Sequence, residues 1–217
     1  MKGKKFVASF SGGKDSTLSI YRAMEAGNTP VGLITTFNEN AEASWFHNIP
    51  KTYLEKVAKS LNIPLYLINT MGDDYGVKFE EKLAEMKKLG AEVCVFGDID
   101  IEDHYKWCSE RCKNVGLDYY FPLWLEDRKS LVCDFIEKGF KAVITVLNHD
   151  KMNKSFIGKT LTNSLVEDIE LSGVDVCGEN GEYHTFVYDG PIFSEKIAMK
   201  FKEMESKDAY TRIKLID

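Results

Sequence analysis

The sequence predicts an α/β fold: a parallel five-stranded sheet covered on both faces, followed by a smaller C-terminal α+β unit. Three observations predict it. Short apolar runs alternate with amphipathic stretches through the first half of the 217 residues. Those runs are apolar at nearly consecutive positions, as in VGLITTF at 31–37, which means strands buried on both faces. From about residue 123 the alternation gives way to a different pattern.

Each element follows from local signals. Residues 5–10 (KFVASF) form a first strand, and 16–26 a helix ended by Gly27. Residues 31–37 are the second strand, and 49–61 a helix with Pro50 at its start. PLYLI at 64–68 is a strand, and 76–89 a helix closed by Gly90. EVCVF at 92–96 is a strand running into Gly97-Asp98, and 101–115 a helix stopped by Gly116. Residues 118–121 make a short fifth strand before Pro122. Beyond it come a helix at 129–138, a strand at 142–147, a polar stretch at 148–154 and a helix at 162–172. Two domains are therefore expected, 1–122 and 123–217, with no Gly/Ser linker between them. Ligands of such sheets bind beyond the carboxyl ends of the strands, where chain order reverses. The segments after the first and fourth strands are placed to share that crevice.

Bulk properties narrow the function. The chain is 44% hydrophobic and 29% charged, ordinary for a water-soluble globular protein. Its net charge of −6 argues against non-specific nucleic-acid binding. The apolar run at the N-terminus stops at Phe10, too short for a secretory signal, and no segment reaches the length of a membrane span. Five cysteines, Cys94, Cys108, Cys112, Cys133 and Cys177, are odd in number and sparse, which fits a reducing cytoplasm. His104, Cys108 and Cys112 fall one turn apart on one helix, but no CxxC pair accompanies them. Buried cysteine is the simpler expectation.

Ser11-Gly12-Gly13-Lys14-Asp15-Ser16 sits between the first strand and the first helix. Paired glycines let consecutive backbone N–H groups turn inward as an anion nest, and the helix N-terminus adds partial positive charge. Ser11 and Ser16 supply hydroxyls, and Lys14 a full charge. A plain strand-to-helix turn needs one glycine, not two framed by serines and a lysine. The spacing is not that of a Walker A loop, and the G-K-T at 158–160 has Asn153 where that motif needs glycine.

SGGKDS matches in full the signature of the PP-loop ATP pyrophosphatases, within the Rossmann-like HUP class. Ser44-Trp45-Phe46-His47, Phe96-Gly97-Asp98-Ile99, Pro122-Leu123-Trp124 and the block GENGEYHTFVYDGP at 178–191 follow in that order. Together they resemble the diphthine–ammonia ligase family over nearly the whole chain. The resemblance implies an ATP-dependent amide ligase: a carboxylate, that of diphthine on elongation factor 2, is adenylated with release of pyrophosphate, and ammonia then displaces AMP. ATP and Mg²⁺ are the implied cofactors. The nucleotide would be held by Ser11, Gly12, Gly13, Lys14, Asp15, Ser16, Thr36, His47, Gly97 and Asp98. Asp15 and Asp98 are candidate Mg²⁺ ligands or loop-orienting groups. Lys14 and the metal would neutralise charge as pyrophosphate leaves.

Glu179 and Glu182 flank a glycine in a loop before a strand, where carboxylates could orient ammonium and take its proton. With Lys14, Asp15 and His184 they complete the expected catalytic set. His184 and Thr185 would contact the acceptor or brace the loop. Relatives carry an arginine in a Y-x-R pattern after Gly-Asp-Ile, whereas here Trp107 stands in that place. Acceptor recognition is where that departure bears. Two other functions fit the same residues: the same ATP chemistry on another carboxylate, and a nucleotide-binding regulator without turnover. A homodimer is the default assembly. A tRNA-modifying role is disfavoured, because the chain is acidic and lacks paired catalytic cysteines.

Overall fold

A computed structural model of the chain describes residues 2–39, 42–45 and 47–216. Phe46 of the Ser-Trp-Phe-His segment lies outside the described residues. The strand and helix order is β1 (Lys5–Ser9), α1 (Lys14–Glu25), β2 (Thr29–Asn38), β3 (Ala43–Ser44), α2 (Lys51–Leu61), β4 (Leu65–Asn69), α3 (Tyr75–Lys88), β5 (Val93–Val95), α4 (Glu102–Val115) and β6 (Asp118–Tyr120). Then follow α5 (Arg128–Glu137), β7 (Lys141–Asn148), α6 (Asn163–Leu171), β8 (Tyr183–Asp189), β9 (Lys200–Lys207) and β10 (Tyr210–Ile216).

Five strands pair in parallel in the order β4-β2-β1-β5-β6, as the apolar runs predicted. The two-residue β3 adds an antiparallel edge to the end of β2. No propensity signal marks so short a strand. Chain order reverses between β1 and β5, so the segments following those two strands meet there, as expected. A second sheet, β8-β7-β10-β9, pairs antiparallel throughout. Its terminal hairpin, β9 and β10, was not foreseen: KFKEMESK alternates charge rather than presenting an apolar run.

Strand alternation sorts the core. Phe6, Ala8, Val93 and Val95 face one cluster with α2, while Val7, Cys94 and Phe96 face another with α3 and α4. Cys108 and Cys112 lie in that second cluster beside Cys94, as core residues. A third cluster joins Leu18 of α1 to α5, α6, β7 and β8. The first cluster also takes in Val143, Phe186, Tyr188 and Leu215 from the second sheet, so the two sheets share apolar contacts. Each fully buried Phe or Leu there contributes roughly 1.5–3 kcal/mol of transfer free energy. Among the described residues, no helix is long and apolar enough to cross a membrane.

Candidate active site

Helix α1 begins at Lys14, two residues earlier than the apolar pattern suggested, so Lys14 and Asp15 occupy its first turn. Gly12 takes a φ of +83°, which only glycine adopts without strain, and this turns the chain from β1 into α1. Gly13 has no room for a side chain: a Cβ there would lie 2.4 Å from His47 Cε1. Gly97 is equally constrained from the β5 side, where a Cβ would lie 2.7 Å from the Ser16 backbone nitrogen. These contacts seat the end of β5 directly on the first turn of α1.

The loop's hydrogen bonds differ from a simple open nest. Gly13 N–H donates to Ser11 Oγ (3.2 Å), and Ser16 Oγ donates to Gly13 O (3.1 Å) while lying 3.1 Å from Ser11 Oγ. The two serine hydroxyls therefore brace the loop itself. Lys14 N–H donates to Thr185 Oγ1 (3.0 Å), and Val187 N–H donates to Gly12 O (2.9 Å). Strand β8 thus supports the glycine loop through Thr185, which also lines the cavity.

Lys14 is buried, and its ammonium donates to Asp15 Oδ2 (2.7 Å) and Cys177 O (2.5 Å). Burial opposes its charge, but Asp15, with smaller contributions from Cys177, Tyr183 and Glu179, more than offsets this, so its pKa stands well above that of ordinary lysine. His47 Nδ1 lies 2.9 Å from Thr185 O. A carbonyl only accepts, so Nδ1 carries the proton and Nε2 is left as an acceptor. The His47 and His184 rings lie 4.7 Å apart. Burial lowers the pKa of both, His184 to about 3 with help from His47 and Lys14, so both rings are neutral at pH 7.

All of this opens onto one cavity of about 580 Å³. Of the expected residues, Ser11, Lys14, Asp15, Ser16, Thr36, His47, Gly97, Asp98, Glu179 and His184 line it. Gly12 and Gly13 stand behind the lining and shape it through the backbone. Glu182 is not on the wall. Its buried carboxylate accepts from Asn180 N–H (3.0 Å) and its carbonyl from Asn148 N–H (2.7 Å), so it holds the loop turn that precedes β8. The expected glutamate pair is thereby reduced to Glu179. Burial and the charge of Asp15 raise Glu179 to about 7, against the opposing pull of Lys14 and Arg128. Asp98 accepts from His104 Nδ1 at 3.2 Å, and His104 in turn is held above its ordinary pKa by that carboxylate.

The opposite end of the lining is aromatic: Trp45, Tyr75, Phe79, Phe96 and Trp107. Trp107 packs on Tyr75 and Phe79 at centroid distances of 5.4 and 5.2 Å. The Trp45 indole N–H is buried with no hydrogen-bond partner among the described residues, a donor open to whatever enters. Trp45, Phe96 and Trp107 fall in segments the motifs singled out, though none was expected on the cavity wall; Tyr75 and Phe79 carried no motif. Tyr75 and Phe79 were legible only as core aromatics, and strand ends and helices bring all five rings to the cavity. Among the described residues, no group of three or more His, Cys, Asp or Glu side chains gathers as a metal site.

Two family models match this chain. The diphthamide synthase N-terminal domain matches residues 4–119, and the diphthamide synthase C-terminal domain matches residues 127–215. The chain belongs to the diphthamide synthase family. Among curated relatives, the diphthine–ammonia ligase of Danio rerio is 26% identical, over 96% of this chain and 92% of that protein. The diphthine–ammonia ligase of Homo sapiens is 28% identical, over 96% of this chain and 88% of its own length. Among solved structures, a chain described as a predicted subunit of tRNA methyltransferase from Methanocaldococcus jannaschii aligns with a TM-score of 0.46. It is 18% identical and covers 89% of this chain and 100% of that one.

Proposed function

We propose that this protein is an ATP-dependent, AMP-forming amide ligase of the diphthine–ammonia ligase type. The observation that carries the proposal is the convergence of the glycine loop, Asp98 and Glu179 on one cavity. The relatives' name supplies the acceptor, diphthine, and the amine, ammonia. In the first step an acceptor carboxylate oxygen attacks the α-phosphorus of ATP, and the α–β bond breaks to release pyrophosphate. In the second, ammonia attacks the acyl carbonyl, a proton is lost from nitrogen, and AMP leaves with the C–O bonding pair.

The residues fit these tasks. Lys14, charged and buried, is placed to accompany the phosphates. The aromatic end and the unpartnered Trp45 N–H suit the flat base. Glu179 titrates near neutrality beside that lysine, which suits a base that takes the proton from the attacking amine. Among the described lining residues, Lys14 is the one Lys or Arg, set against Asp15, Asp98 and Glu179. A polyphosphate entering alone would meet net repulsion, so the donor set fits a nucleotide that arrives with a divalent cation. Asp15 and Asp98 would hold that cation, and Mg²⁺ there would supply Lewis-acid neutralisation of phosphate charge.

The test is AMP release from labelled ATP with Mg²⁺ and ammonium, with and without diphthine-bearing elongation factor 2. AMP that rises with the factor, with conversion of its carboxylate to an amide by mass, is the expected result. AMP formation indifferent to the factor would move the proposal to another carboxylate. Nucleotide binding without AMP under any condition would overturn the enzyme in favour of a regulator. Lys14→Met should weaken ATP binding about tenfold or more.

A further inference from the structure

We infer that Arg128 is a positioning residue for this site: its guanidinium joins the loop that carries Asp98 to the loop that carries Glu179 and holds both toward the cavity. The inference rests on the proposed site and adds a residue that no motif marks. Arg128 is the first residue of α5 and is not part of the cavity lining. Its Nε and Nη2 donate as a fork to the two oxygens of Asp100, each at 2.7 Å. Its Nη1 donates to Asp175 Oδ2 at 2.5 Å. The backbone adds a third tie, since Cys177 Sγ donates to Arg128 O at 2.9 Å.

Each partner is two to four residues from a cavity carboxylate. Asp100 follows Asp98 in the segment between β5 and α4. Asp175 opens the turn that carries Glu179: its carboxylate also accepts from Cys177 N–H (3.1 Å) and Glu179 N–H (2.9 Å). One guanidinium therefore bridges a loop of the parallel sheet and a loop of the C-terminal half. Only arginine offers a planar fork with a third donor direction to spare. Lysine could satisfy one carboxylate, not both in this geometry. Without the guanidinium, Asp100 and Asp175 are left as unpaired carboxylates, and like charge drives the two loops apart.

The experiment uses the full chain with Arg128→Lys and Arg128→Gln, each checked for folding by circular dichroism and melting. Two readouts are taken: steady-state AMP formation over ATP concentration, and hydrogen–deuterium exchange over 97–101 and 175–181. We expect kcat to fall about tenfold for Lys and about a hundredfold for Gln, with a smaller rise in KM for ATP because Asp98 lies in the loosened loop. Exchange should quicken about tenfold or more in both loops and stay unchanged in β1 and β7. An ordinary surface ion pair would lower the melting temperature and leave kcat unchanged; unchanged kcat in a folded variant overturns the inference. If the wild type forms no AMP, the proposed reaction fails by itself and exchange alone decides: unchanged loops overturn the inference, and loosening confined to the two loops upholds it. If neither Arg128 variant folds, Asp100→Asn cuts one arm of the fork. It should loosen 97–101 alone, and unchanged exchange there overturns the inference.

Discussion

Glu179→Gln should make this protein more stable and less active, and the size of the first effect follows from the site. In the folded chain the carboxyl titrates near 7 instead of at the usual 4.5, because burial and Asp15 disfavour its charge. Folding therefore takes up a proton between those values. The protonated form's contribution is fully present below about pH 4.5 and is lost as pH rises through about 7. At 1.36 kcal/mol per unit the ionised side chain costs about 3 kcal/mol at alkaline pH, which solvent at the cavity mouth trims to about 2. Glutamine has the shape of the neutral acid and carries no such cost. For a chain of this size, about 2 kcal/mol is a rise in melting temperature of about 4–8 °C. The assay is thermal unfolding of both proteins from about pH 5 to about pH 9. The difference should be small at the acid end, grow through neutrality and level off above it, while amide formation in the variant falls by about a hundredfold or more. A difference that is independent of pH, or a less stable glutamine variant at about pH 8, would refute the assignment of a strained carboxylate at 179.

Other expectations follow from the same geometry. At constant free ammonia, kcat/KM for amide formation should rise about tenfold per pH unit below about 7 and flatten above it, and Glu179→Gln should lose that limb. Gly97→Ala places a methyl 2.7 Å from Ser16 N and 2.8 Å from Asp15 C, both backbone atoms that cannot swing away. It should cost about 1–3 kcal/mol in chemical denaturation and weaken ATP binding in calorimetry. Glu182→Gln should keep AMP formation within about threefold, because an amide oxygen can still accept from Asn180 N–H. A loss of the order seen at Glu179 would return Glu182 to the chemistry.

The parallel sheet was legible because its strands are buried on both faces, and continuous apolar runs have few other solutions. Phe6, Val7 and Ala8 are each wholly buried. The hairpin of β9 and β10 was not, because every described residue of β9 is exposed and its residues read as a charged surface. At the site, the glycine loop could be read from residue types alone, since Gly12 takes a positive φ and Gly13 leaves room for the His47 ring. Glu179 and Glu182 could not be separated that way. They are three residues apart with similar neighbours, and only the turn at Gly181 decides that one faces the cavity while the other folds back on Asn180. Arg128, Asp100 and Asp175 left no trace in the sequence, because each comes from a different segment and their relation exists only after folding.

The bonds to β8 make the nucleotide loop a joint product of both halves. The first half carries the whole signature, yet Lys14 N–H is satisfied by Thr185 and Gly12 O by Val187. Phe186 lies between them in sequence, fully buried in the cluster that also holds Phe6, Ala8 and Phe10. A Cβ on Gly12 would come within 3.7 Å of the Phe186 ring, so the loop rests on that side chain. Without β8, one N–H and one carbonyl of the loop would lose their partners and an apolar floor would open to water. Glycine, the residue that permits the turn, is also the residue with most freedom to leave it. A loop built on two adjacent glycines therefore needs an external brace to keep a single shape, and β8, running straight on from the turn that carries Glu179, supplies it. The brace and the candidate base share one stretch of chain, so a displacement of one displaces the other.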